Sequence, residues 1–323
     1  MTDKTGRVAI VAGGTAGVGR AVVEALVAEG WRVGVIARGE DRLAGLEAAQ
    51  SAVATAAADV SDAAALEAAA DALVSRLGTP EAWVNCAMLT SFSPFAKMEV
   101  AEFDAIVATT FLGQVNGTRA ALRLMGDRGR IVNVGSGLSY RAVPFQSAYC
   151  GAKHAINGFT SAVRSELIRE GRDISLSLVQ LPAINTPQFD WARNRLEKKP
   201  QPAPPIFAPE VAAKAVLRAI ETGERELLVG GSVLKLVFGD MVLPAWLDRK
   251  LAKDGAEMQK SAEPEPGGRE DNLFSPAAHA GTAEGRFGDR AKSDGLIVDG
   301  DLARKLVFGG GALALLLLGM LIG

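Results

Sequence analysis

Cysteine and histidine are scarce. Cys86, Cys150, His154 and His279 are all that 323 residues contain. Two thiols cannot build a disulfide framework or a cysteine zinc site. With so few histidines a catalytic zinc is not expected either, so no metal is predicted. Neither sign of charge dominates: 35 Lys and Arg face 37 Asp and Glu, a net charge of −2. That balance argues against a nucleic-acid binder, which carries a strongly basic domain. The first residues, Met1 to Arg7, hold no apolar run, so no signal peptide is predicted. The main domain is accordingly expected to fold in the cytoplasm. What is present is a large apolar fraction, 48%, against 22% charged residues. Such a chain is not disordered and can bury a sizeable core.

Short β-rich runs alternate with Ala-rich helical stretches over the first 230 residues. Strands are predicted at 7–12, 32–37, 52–57, 82–85, 130–134, 174–179 and 226–229. Helices are predicted at 17–30, 40–50, 62–77, 102–125, 147–171 and 209–222. This alternation predicts an α/β fold built on a parallel sheet covered on both faces. Between Leu181 and Pro209 the texture changes, with prolines at 182, 187, 200, 202, 204, 205 and 209. So long a loop in a compact domain reads as functional, such as a lid. Leu234–Lys253 is apolar, interrupted by Pro244, and reads as a broken helix. From about Gly255 to Gly300 the chain turns polar and rich in Gly and Pro, which predicts a flexible linker.

The last 18 residues, 306–323, carry no charge and follow Arg304-Lys305. At helical rise they span roughly 27 Å, the short end for a bilayer core. The flanking cations predict a cytoplasmic side before the segment. The competing reading is a buried core helix, but after so long a linker little is left for it to pack on. The expected organisation is therefore a catalytic domain at 1–254, a flexible linker at 255–303 and a membrane anchor at 304–323.

Ala12-Gly13-Gly14-Thr15-Ala16-Gly17-Val18-Gly19 lies between the first strand and the first helix. Glycines there let the backbone turn tightly and approach a pyrophosphate, and a helix N-terminus supplies free N–H groups. The spacing is G-x-x-x-G-x-G. At the tip of the second strand stands Arg38, with no acid in the position that would bind ribose hydroxyls. A planar cation there suits a 2′-phosphate, which favours NADP over NAD. A solvated surface arginine is the plain alternative, and Glu40 and Asp41 lie close by.

Tyr149 and Lys153 are four residues apart, on one face of a helix. An ammonium beside a phenol stabilises the phenolate and suits acid–base work. Ser136 stands just past the strand at 130–134, at the carboxyl end where a parallel sheet binds ligands. Its hydroxyl can bond a substrate carbonyl oxygen. Cys150 is a poor nucleophile, since the neighbouring helix position points about 100° away from Tyr149. His154 reads as a helix-surface residue and His279 as a solvated one.

In these residues the chain resembles the short-chain dehydrogenases/reductases of the Tyr-x-x-x-Lys type, over roughly residues 5–230. Gly13, Gly17 and Gly19 match the T-G-x-x-x-G-x-G loop, with Ala12 replacing Thr. Asp59-Val60 matches the D-V pair at the adenine. Asn85-Cys86-Ala87-Met88 stands where N-N-A-G is usual. Ser136, Tyr149 and Lys153 match the catalytic trio. Ile184-Asn185-Thr186-Pro187 resembles the stretch that holds the nicotinamide carboxamide, with Leu181-Pro182 in place of Pro-Gly.

The resemblance implies a Rossmann-type doubly wound sheet and hydride transfer between a carbonyl and a secondary alcohol. It implies that Gly13, Thr15, Gly17, Val18, Gly19, Arg38, Asp59, Val60, Asn85, Ala87, Tyr149, Lys153, Ile184 and Thr186 meet the cofactor. It also implies a homo-oligomer packed through two long helices. One departure stands out: the helix asparagine that holds a relay water in the family is Thr110 here, and Asn116 lies nearly two turns on. The apolar residues Ile206, Phe207, Leu236, Val237 and Phe238, together with the tail, point to a lipophilic substrate near a membrane. The rival reading is a membrane-tethered NADP-binding scaffold without activity. An intact Ser136, Tyr149 and Lys153 count against it.

Overall fold

The computed structural model describes residues 6–310. The seven strands expected from the pattern form, and an eighth joins them. In chain order they are β1 (Val8–Ala12), β2 (Arg32–Ala37), β3 (Val53–Ala57), β4 (Ala82–Asn85), β5 (Arg128–Ser136), β6 (Asp173–Leu181), β7 (Glu226–Val229) and β8 (Ile297–Asp299). Their order across the sheet is β8-β7-β6-β5-β4-β1-β2-β3. All neighbours run parallel except β8, which is antiparallel to β7.

The helices are α1 (Gly17–Ala28), α2 (Glu40–Ala49), α3 (Ala63–Leu77), α4 (Val100–Val107), α5 (Gly113–Leu124), α6 (Ser147–Glu170), α7 (Pro209–Thr222), α8 (Gly230–Val242) and α9 (Pro244–Lys250). Local chemistry sets their ends. The Asp62 carboxylate accepts from the Ala64 and Ala65 N–H groups at 3.0 Å, which starts α3. Gly171 and Gly223 take left-handed conformations that stop α6 and α7. Pro244 breaks the apolar stretch between α8 and α9 as expected.

Side chains alternate across β1, and both faces are buried. Ala9 and Val11 join α1 and α7 on one side, with Val22, Leu26, Val216 and Ile220. Val8 and Ile10 join α3 and α5 on the other, with Leu66, Leu73 and Ala120. A two-layered core of this kind explains why the inner strands read as near-continuous apolar runs.

The segment expected to be a flexible linker, 255–303, is laid against the main body instead. Lys260–Pro264 pairs with Lys198–Pro200, Ala291–Lys292 pairs with Ile206–Phe207, and β8 extends the central sheet. Leu273, Ala277 and Phe287 are buried. Its polar composition hides these few apolar anchors, and main-chain pairing, which composition does not report, supplies the rest. The Pro-rich stretch 181–209 is tied down by the same pairings rather than free.

No helix among the described residues is long and apolar enough to cross a membrane. Most of the expected anchor at 304–323 lies outside the described residues. Its described beginning leaves Leu306, Val307 and Phe308 exposed.

Candidate active site

The carboxyl ends of the parallel strands open into a cavity of about 970 Å³. Gly13, Thr15, Gly17, Val18 and Gly19 line it, as do Arg38, Asp59, Val60, Ala87, Ser136, Tyr149, Lys153, Ile184 and Thr186. The glycines serve close approach. Gly13 has φ +90°, and a Cβ there would meet the Ala87 nitrogen at 2.5 Å. A Cβ on Gly19 would meet the Gly13 carbonyl oxygen at 2.0 Å. Ala16 precedes α1 without a side-chain cap, so no side chain occupies that helix N-terminus. Glycines at 13, 17 and 19 beside a helix N-terminus without a side-chain cap fit a pyrophosphate.

Ser136 ends β5, and its N–H donates to Gln180 Oε1 at 2.9 Å and to Ser139 Oγ at 3.1 Å. Gln180 Nε2 in turn donates to Glu226 Oε1 at 3.0 Å. Tyr149 and Lys153 sit one turn apart on α6, with Lys153 Nζ 5.6 Å from the Tyr149 ring centre. Both are buried. Burial pushes the Tyr149 phenol well above its usual range, opposed by hydrogen bonding with Ser136. Burial also lowers the Lys153 ammonium to about 8, opposed by attraction to Cys86. Lys153 Nζ donates to the Val134 carbonyl at 2.6 Å. The Cys86 thiol is itself pushed up to about 11 by burial, which makes it a poor nucleophile.

Asn85 departs from its expected place. It does not line the cavity. Its Oδ1 accepts from Trp83 Nε1 at 2.8 Å, and its Nδ2 donates to Asn133 Oδ1 at 2.8 Å and Thr118 Oγ1 at 3.2 Å. The side chain thus ties β4 to β5 and α5 inside the core. Thr110 is not free to hold a relay water. Its hydroxyl accepts from the Leu89 N–H and donates to the Leu89 carbonyl, both at 3.0 Å, within a π-turn at Ala108–Leu112. Asn116 instead binds the Val60 carbonyl at 2.9 Å and steadies the loop after β3. Of the apolar residues expected at the substrate, Phe207 and Leu236 line the cavity, whereas Ile206, Val237 and Phe238 pack elsewhere. His154 bonds the Cys150 carbonyl one turn back, as a helix-surface residue does. His279 is not simply solvated, since it packs edge-on against Trp191 at 5.1 Å.

Arg42 was not singled out by the sequence pattern. It lines the cavity near Arg38, and among the described residues it has no carboxylate partner. Burial, then the Arg38 charge, lowers its pKa. Arg38 itself has Asp59 Oδ2 3.7 Å from its Nη1, so of the two guanidinium groups Arg42 is the one without a carboxylate among the described residues. A second arginine one turn into α2 was the available signal. The walls on the α8–α9 side are apolar: Leu236, Leu243, Trp246, Leu247 and Leu251 line the cavity there. Leu236 packs on Gly137, the residue after Ser136, where an added Cβ would meet its Cδ1 at 3.0 Å.

The C-terminal extension also reaches this cleft. The Gly17 N–H donates to the Thr282 carbonyl at 2.9 Å. Arg38 donates to the carbonyls of Asn272 and Leu273, at 2.6 and 3.4 Å.

Comparison with known proteins fits this geometry. A family model described as short chain dehydrogenase matches residues 7–196. An uncharacterized oxidoreductase, YxnA, of Bacillus subtilis (strain 168) is 29% identical over 277 residues, covering 83% of this chain and 78% of its own. A levodione reductase of Leifsonia aquatica is 31% identical, covering 66% and 86%. Among solved structures, an actinorhodin polyketide ketoreductase with NADPH superposes with a TM-score of 0.60 and 27% identity. That match covers 69% of this chain and 92% of the other.

Proposed function

The chain belongs to the short-chain dehydrogenase family, and from that premise we propose that it is an NADP-dependent oxidoreductase interconverting a lipophilic ketone and its secondary alcohol. The family assignment makes it an oxidoreductase that works on CH–OH groups with a nicotinamide cofactor. The observation that carries the finer reading is one cavity with three distinct walls. Ser136, Tyr149 and Lys153 form the first, Arg38 and Arg42 the second, and the apolar side chains of α8 and α9 the third.

A nicotinamide cofactor supplies or accepts the hydride. The chain's own residues manage the proton and the geometry. Tyr149, kept as a phenol by burial, gives its proton to the carbonyl oxygen during reduction and takes it back during oxidation. Lys153 places a positive charge beside the phenol and stabilises the phenolate that remains. Ser136 orients the carbonyl by a hydrogen bond, with its main chain held by Gln180. Gly13 to Gly19 and Val60 hold the nucleotide, while Ile184 and Thr186 hold the nicotinamide end. Arg38 and Arg42 take the 2′-phosphate, since paired guanidinium groups bind phosphate in a planar, bidentate way.

Leu236, Leu243, Trp246, Leu247 and Leu251 support a lipophilic substrate, with Ser232, Lys235 and Lys250 lining the same side. Attachment to a membrane through 304–323 belongs to the same reading. It is supported by the uncharged sequence and by exposed Leu306, Val307 and Phe308. A homo-oligomer packed through α5 and α6 completes it, supported by the family alone.

The test is NADPH oxidation by the full-length protein against ketones ranging from small and polar to long-chain and polycyclic. Turnover is expected with the apolar ketones, falling roughly 10²–10⁴-fold in Tyr149→Phe. Undiminished turnover in that variant would remove Tyr149 from the chemistry. Arg38→Ala should weaken NADPH roughly ten- to a hundredfold and leave NADH unchanged. Equal loss for both would reject the NADP preference.

A further inference from the structure

Residues 269–287 lie across the nucleotide half of the cleft, and two firm anchors bracket them. At the near end Arg193 Nε pairs with Asp271 at 2.8 Å, and Arg269 Nη1 donates to the Phe189 and Asp190 carbonyls at 2.8 and 2.9 Å. Leu273, almost fully buried, enters the apolar cluster that contains Tyr149. At the far end the Phe287 N–H donates to Asn185 Oδ1 at 2.9 Å, and its ring meets Phe189 edge-on.

Between the anchors the contacts are of another kind. The strap touches groups that a dinucleotide uses. The Thr282 carbonyl takes the Gly17 N–H of the glycine loop. At the near anchor itself, the Asn272 and Leu273 carbonyls take Arg38. Gly281 lies so close to the loop that a Cβ there would meet the Thr15 carbonyl oxygen at 2.6 Å. His279 packs on Trp191, over which Arg42 also stacks, at 5.5 Å from the ring centre. The cavity beneath is nevertheless preserved at about 970 Å³. Of the strap, Asn272 lines that space, while Thr282 holds the Gly17 N–H itself, so the strap closes the glycine-loop end of the cleft.

We propose that the strap 269–287 is a gate over the cofactor: the dinucleotide enters and leaves only when the middle of the strap lifts from the glycine loop. The inference rests on the reading that this cleft holds a nicotinamide dinucleotide. Its middle is built to lift. It contacts the cleft through the Thr282 carbonyl, the Gly285 N–H and one exposed histidine, and its buried or half-buried apolar side chains are only Ala277 and Ala283, so opening exposes little apolar surface. Its anchored ends keep it from being lost. Opening then precedes each exchange of spent for fresh cofactor.

The experiment is stopped-flow binding of NADPH to the full-length protein, followed by nicotinamide fluorescence. A gate predicts an observed rate that levels off with rising NADPH at the opening rate. Gly281→Val, which forces the strap off the Thr15 carbonyl, should raise both the plateau and the dissociation rate at least tenfold. His279→Ala should raise both by a smaller factor. The two constants rise together because a gate obstructs both directions. As an independent reading, hydrogen exchange of the Gly17 amide should be slow in the wild type and fast in Gly281→Val.

An observed rate that stays linear in NADPH overturns the gate. So does a variant in which dissociation alone accelerates, since the strap would then be a fixed wall. Failure of both NADPH and NADH to bind would instead sink the dinucleotide reading. If NADH alone binds, the same series is run with it, and the gate is judged separately from the NADP preference.

Discussion

In the proposed mechanism a phenol and an ammonium one turn apart divide the work, and burial sets the protonation of both. Tyr149 is held protonated and Lys153 is brought to about 8. The ammonium form is full below that value and is lost as pH rises through it, while the phenol does not yet ionise. For ketone reduction kcat/KM should therefore be level at neutral pH. Above about pH 8 it should fall toward tenfold per pH unit. Lys153→Met should show a low profile without that limb, and an unchanged profile would detach the limb from Lys153. The trio was legible in the sequence because its geometry is local: a helix fixes Tyr149 against Lys153, and a strand end fixes Ser136. Asn85 was not. A strand position fixes which face a side chain takes, but the neighbours on that face, Asn133 and Thr118, decide whether it meets ligand or core. Thr110 is similar, since its partner Leu89 comes from a distant loop.

The strand–glycine loop–helix element is the most sequence-determined part of the molecule. Gly19 needs its missing side chain because the chain doubles back on the Gly13 carbonyl. Gly19→Ala should cost roughly 1–3 kcal/mol of stability through forced backbone displacement. It should also abolish measurable NADPH affinity, which a thermal melt and a fluorescence titration would report side by side. Retained affinity with a normal melt would mean the loop relaxes freely. The elements of the extension were illegible for the opposite reason. Lys260–Pro264, Ala291–Lys292 and Ile297–Asp299 are too short for a two-residue period to stand out. Each forms because a partner strand already offers unpaired main-chain groups.

Across the whole molecule, the extension is tied to the catalytic strand through a buried charge. Glu226, fully buried at the start of β7, accepts from Tyr140 and Gln180, and Arg304 Nη2 lies 2.6 Å from its Oε2. Gln180 holds the Ser136 N–H. Arg304→Met would leave that carboxylate with only the longer contact to Arg225, 3.8 Å from the same oxygen, a loss approaching about 3–5 kcal/mol. At 2–4 °C per kcal/mol this lowers Tm by roughly 6–20 °C. Adding Glu226→Gln should recover part of it, because the neutral amide needs no counter-ion. A Tm within a degree of wild type for Arg304→Met would show that the extension is not needed to hold β7.

The alternation of strands and helices, the glycine loop and the catalytic spacing were all fixed by the sequence alone. Each depends on neighbours within a few residues, through backbone propensity, the missing Cβ of glycine and the pitch of a helix. The tertiary structure alone decided that residues 255–303 form a packed edge and a strap instead of a linker. It also turned Asn85 inward. These outcomes rest on main-chain pairing and desolvation between segments far apart in the chain, and neither leaves a periodic trace in composition.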